Sequence, residues 1–74
     1  MIKVTIRTAS QLKWIETNWP NHRYEGWILD WAEGASEPNE IQGWVYIDNC
    51  DDADAAQIAL TLGVEVQYVE NWND

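Results

Sequence analysis

Between Asp48 and Trp72 the chain runs Asp-Asn-Cys-Asp-Asp-Ala-Asp-Ala-Ala-Gln-Ile-Ala-Leu-Thr-Leu-Gly-Val-Glu-Val-Gln-Tyr-Val-Glu-Asn-Trp, a helix start, a helix stop and a strand in immediate succession. Asp51 can accept from the first free backbone N–H groups of a helix, and Asp52 and Asp54 put negative charge where the helix dipole is positive. Ala55, Ile58, Ala59 and Leu62 fall at i, i+3, i+4 and i+7, a narrow stripe of mostly small residues that lets a helix lie close on a sheet. Gly63 stands where a C-terminal glycine stops a helix. From Val64 the period changes to two, with Val64, Val66 and Tyr68 on one face and Glu65, Gln67 and Val69 on the other.

The preceding residues repeat this grammar. Ile2, Val4 and Ile6 alternate with Lys3, Thr5 and Arg7, which predicts a half-buried strand. Thr8 followed by Gln11 has the form of a capping box, and the stripe Leu12, Ile15, Trp19 predicts a helix over about 9–18, which Pro20 ends. Trp14 lies off that stripe, as a partly exposed ring or a lid over the core edge. After a polar turn over 21–23, the aromatic and branched residues of 24–31 predict a strand, with Trp27, Leu29 and Trp31 on one face and Tyr24, Gly26 and Ile28 on the other. Gly34 and Pro38 punctuate a loop over 32–40. A third strand over 41–48 sets Gly43, Val45 and Ile47 against Trp44, Tyr46 and Asp48. The order strand, helix, strand, strand, helix, strand gives an α+β fold of ferredoxin-like βαββαβ type, a four-stranded antiparallel sheet with both helices on one face.

At 74 residues the chain is expected to form one domain spanning 1–74, which buries only a little over about 60% of its unfolded surface. Six Trp and three Tyr with no Phe compensate for that shortage or form a binding surface. One Cys and one His allow neither an internal disulfide nor a structural zinc site. No apolar run approaches the roughly 20 residues of a membrane span, and the N-terminus alternates unlike a signal peptide, so no membrane partner and a cytoplasmic location are expected.

Charge is divided unevenly along the chain. Lys3, Arg7, Lys13 and Arg23 against Glu16 give +3 over the first 23 residues; from Tyr24 onward twelve acids and no base give −12, for a net −9. Such a surface repels a phosphate backbone, whose binding depends on Lys and Arg displacing counterions, so no direct nucleic-acid partner is expected. An acidic chain is soluble for that reason alone. A run of 51 residues without a base nevertheless invites a basic partner.

No residue belongs to a recognisable catalytic or cofactor motif, and the chain is not expected to be an enzyme. Cys50 follows Asp48 and precedes an acidic run, surroundings that raise a thiol pKa. His22 sits beside Arg23 in a polar turn with no nucleophile at triad spacing. Asp48, Asp51, Asp52 and Asp54 share the look of a calcium loop, but Ala53 and Ala59 occupy the positions of the required Gly and bidentate Glu, so helix capping explains them and no metal is expected. Glu33, Glu37 and Glu40 lie in a loop as solvent-facing carboxylates.

If Val45 and Ile47 face the helices, Trp44 and Tyr46 face outward on the open side of the sheet, as an interface does. Trp27 and Trp31 belong either to that surface or to the core. Such a sheet also resembles the RNA-recognition motif, whose open face stacks bases. The strands that carry the aromatics hold no base in this reading, which separates the chain from that motif.

The run Gly43-Trp44-Val45-Tyr46-Ile47-Asp48, leading into Asp51-Asp52-Ala53-Asp54, is similar to a Gly-x-Trp-Ile-Asp then Asp-x-Asp pattern of antirestriction proteins. In length, charge and lack of catalytic signature the chain resembles the DNA-mimic antirestriction and anti-CRISPR inhibitors of bacteriophages and mobile elements. That resemblance implies a cofactor-free inhibitor acting in the host cytoplasm. Its carboxylates would occupy the Lys and Arg side chains of a basic nucleic-acid-binding host protein or complex, such as a CRISPR or restriction nuclease. The expected contact residues are Asp48, Asp51, Asp52, Asp54, Glu65 and Glu70, with Trp44 and Tyr46. The alternative is a non-catalytic assembly module that uses the tryptophan-rich sheet face, homodimerisation included.

Overall fold

The computed structural model describes residues 1–70; Trp72, at the end of the stretch read first, lies outside them. Its elements are β1 (Ile2–Ile6), α1 (Ala9–Asn18), β2 (His22–Asp30), β3 (Glu40–Ile47), α2 (Asp52–Leu62) and β4 (Val66–Tyr68). The four strands form one antiparallel sheet in the order β2-β3-β1-β4. Each helical crossover therefore skips one strand, β1 to β2 over β3 and β3 to β4 over β1, which is the split βαβ arrangement of a ferredoxin-like α+β fold.

Local chemistry sets the helix ends. Gln11 N–H donates to Thr8 Oγ1 (3.2 Å) while Thr8 N–H donates to Gln11 Oε1 (3.2 Å), closing the box on α1. Asp51 and Asp54 do the same for α2, with Asp54 N–H on Asp51 Oδ1 at 2.8 Å and Asp51 N–H on Asp54 Oδ2 at 3.4 Å. Gly63 ends α2 at φ 64°, left-handed backbone that glycine adopts without a Cβ clash, and its N–H reaches the Ala59 carbonyl at 2.9 Å.

Both helices cover the same side of the sheet. Ile2, Val4 and Ile6 of β1 and Ile41, Val45 and Ile47 of β3 are buried in one cluster with Ile15 of α1 and Ala55 and Ile58 of α2. Leu12, Trp14 and Trp19 close its margin, the two rings meeting edge to face at 5.5 Å, so Trp14 is the lid rather than a free ring.

The extents of β2, β3 and β4 differ from the sequence reading, β3 lying one residue earlier and β4 starting at Val66 rather than Val64, and the difference in β2 matters most. β2 begins at His22, not Tyr24, because His22 and Arg23 pair with Ile47 and Tyr46. The strand is anchored by the His22 ring, whose Nδ1 lies 2.8 Å from the Trp19 carbonyl oxygen and Nε2 3.2 Å from Glu16 Oε2. A polar pair that looks like a turn in isolation is thus held extended by α1. At the far end a register shift between Ile28 and Asp30 interrupts the alternation. The alternation that would align Leu29 and Trp31 with Trp27 is thus broken, and Trp31 Nε1–H donates to the Ala35 carbonyl in the loop (3.0 Å).

Candidate functional site

The acidic residues from Asp48 to Asp54 gather at one end of the molecule, where β3 hands over to α2. Asn49 there takes a positive φ of 56°, and its N–H donates to Asp48 Oδ1 (3.0 Å). Asp51 caps α2 and Asp52 and Asp54 stand in its first turn, where the partial positive charge of the helix N-terminus offsets the repulsion between neighbouring carboxylates. Asp48, Asp51 and Asp52 are exposed and Asp54 is half-buried. Among the described residues, none of the four forms an ion pair with Lys or Arg; the ion pairs Lys13–Glu37 and Arg23–Glu25 and the His22–Glu16 contact involve other acids.

β4 closes this end. Tyr68 Oη donates to Asp52 Oδ1 at 2.9 Å, and that hydrogen bond is the main cause of a phenol pKa above the ordinary value, since ionisation would place two negative oxygens together. Glu70 follows Tyr68 toward the same end. Glu65 does not join them: it precedes β4 at the opposite end, where its carbonyl accepts from Thr5 N–H (3.2 Å). Cys50 is half-buried beside the acids, and its thiol is pushed up, chiefly by burial and then by Asp54. It is a poor nucleophile there.

Trp44 lies on the open face, half-buried, with its indole edge to face against Trp27 at 6.0 Å. Trp27, Leu29 and Trp31 are each about half exposed, which removes them from the core. Tyr46 also points to the open side, but the expectation that it is available to a partner is corrected: only 4% of it is exposed. On central strand β3 it stands directly between Lys3 of β1 and Arg23 of β2, whose long stems can lie over a ring. Lys3 Nζ is 5.8 Å from the Tyr46 ring centroid and 5.0 Å from that of Trp44. Tyr46 is thus part of a small second core.

The same pairs correct the statement that the aromatic strands hold no base. Arg23 lies on β2 with Trp27, and Lys3 stands across from Tyr46. Sequence reasoning missed Arg23 as a face residue, and placed Lys3 on the polar face of β1 without its aromatic neighbours. The spacing Arg23, Glu25, Trp27 carried the signal for Arg23, but Pro20 and the polar residues after it masked the strand start. Two hollows of about 330 and 290 Å³ flank Arg7 at the end away from the acids, one edged by Gln11 and Glu65, the other by Leu29 and Gln42. No family model, curated protein or solved structure matches the chain.

Proposed function

We propose that the protein is a small acidic binding module that docks its α2 N-terminal end onto the basic surface of a nucleic-acid-binding protein, competing there with nucleic acid. The observation that supports this most is the exposed group Asp48, Asp51 and Asp52, held at one end by the β3–α2 turn and in no ion pair with Lys or Arg among the described residues. Carboxylates left in water retain their full attraction for a cationic partner and cost little to desolvate at a rim. The resemblance to DNA-mimic inhibitors adds a class of partner, a CRISPR or restriction nuclease complex in the cytoplasm. No catalytic step is assigned, and no cofactor.

Only part of the acidic set is spare for this role. Asp51 and Asp54 cap α2, so a binding test belongs on Asp48 and Asp52. The experiment retains host proteins on the immobilised chain and measures nucleic-acid binding by each retained protein with and without it. Competition that weakens in Asp48→Asn with Asp52→Asn supports the reading. Retained proteins whose nucleic-acid binding is untouched would overturn it.

A further inference from the structure

β2 is an outer strand of the sheet, so along one side its backbone N–H and C=O groups have no ladder partner among the described residues. Proteins guard such an edge with Lys, Pro, cover or very short length, because it pairs with any extended chain. β4, the other outer strand, has only three residues. β2 has nine. From Gly26 to Leu29 it carries no charge, and Trp27, Ile28 and Leu29 are 50%, 52% and 49% exposed, Ile28 on the helix side and Trp27 on the open side. The register shift after Ile28 lies near the strand's end and leaves its middle straight.

We propose that β2 pairs antiparallel with β2 of a second copy around a two-fold axis at Gly26, joining the two sheets into one of eight strands. The strand is its own complement about that point. Tyr24 then faces Ile28 and Glu25 faces Trp27, each twice, while Gly26 meets Gly26 and Arg23 comes level with Leu29, where the register shifts. No like charges are opposed, and Arg23 lies diagonal to Trp27 of the other copy, within reach of a cation–π contact. Moving the axis to Glu25 would set that carboxylate against itself. Moving it to Trp27 would draw the irregular end, Leu29 and Asp30, further into the pairing. An antiparallel pair also keeps the two acidic α2 ends apart, at opposite ends of the joined sheet. The partner that matches both the pattern of exposure and the charges of β2 is thus another β2.

The test is sedimentation equilibrium over a wide concentration range, with hydrogen exchange of the β2 amides. The expected species has twice the chain mass of 8.6 kDa. Its amides between Arg23 and Leu29 slow in alternation as concentration rises. Ile28→Lys should raise the dissociation constant about tenfold or more, since it adds a charge to the middle of the paired edge. Leu60→Lys, on the exposed side of α2, should leave it unchanged, and the far-ultraviolet spectra of both variants should match the parent. The association should strengthen with salt, because both copies carry −9, whereas the acidic docking proposed above should weaken. A monomer at every concentration, a dimer indifferent to Ile28→Lys, or a dimer whose β2 amides exchange as in the monomer would each overturn the proposal.

Discussion

Asp51 accepts the Asp54 N–H at the start of α2 while contributing charge to the acidic end, so one carboxylate serves stability and electrostatics together. Asp51→Ala removes the cap and should lower unfolding stability by about 1 kcal/mol, read as a shift in denaturant midpoint at constant slope. An unchanged midpoint would show that Asp54 suffices. Asp52 has a different local partner, the Tyr68 hydroxyl. Because the folded-state phenol is raised above an ordinary value near 10, any stability it brings is complete below that pH and is lost as pH climbs through the higher folded value. In Asp52→Asn the Tyr68 ring-carbon resonances should titrate at lower pH than in the parent. An unmoved titration would separate the two side chains in solution. Both caps were legible in the sequence, since a capping box is a contact between residues three apart. The burial of Tyr46 was not: it depends on Lys3, 43 positions away, and on Arg23, brought alongside only by the sheet.

At the scale of elements, the β2–β3 ladder contains a glycine pair that makes room for a ring. Gly26 and Gly43 are register partners, and the Tyr24 side chain lies over both on the helix side. A Cβ on Gly43 would meet the Glu25 carbonyl oxygen and come within 2.9 Å of Tyr24 Cε1; on Gly26 it would meet the Gln42 carbonyl oxygen and come within 2.6 Å of Tyr24 Oη. One ring thus fills the space of two missing side chains. Gly43→Ala should cost about 1–3 kcal/mol of unfolding stability as the ring and ladder shift, measurable by chemical denaturation. Gly34→Ala, in the loop at φ 80° with open space around it, tests backbone strain instead and should leave the ladder's exchange rates alone. Both helix ranges follow from periodicity and caps, which are local. The start of β2 does not, because His22 and Arg23 are extended only through Trp19, Glu16 and β3.

Across the whole molecule, the acidic β3–α2 turn and the exposed apolar residues of β2 lie at different places. The acids of the β3–α2 turn lie at one end, and the exposed residues of β2 lie toward the other, with Lys3 and Arg23 on the open face between them. A partner held by the acidic end would be bound mainly through long-range attraction, which fades as the Debye length falls from about 10 Å at 0.1 M salt to about 3 Å at 1 M. Neutralising Asp48 and Asp52 together should therefore slow association at low salt and change little at high salt. Trp44→Ala should leave that salt dependence intact, because its ring packs with Trp27 and Lys3 rather than with the acids. A partner that instead seated itself on the aromatic face would show the reverse: tolerance of salt and of the Asp changes, and a loss of about 2 kcal/mol or more on truncating Trp44. Measuring parent, double Asp variant and Trp44→Ala at both salt concentrations decides between the two surfaces, since each predicts a different variant to be silent. Salt-insensitive binding that survives neutralisation of Asp48 and Asp52 would move the docking site from the α2 end to the sheet.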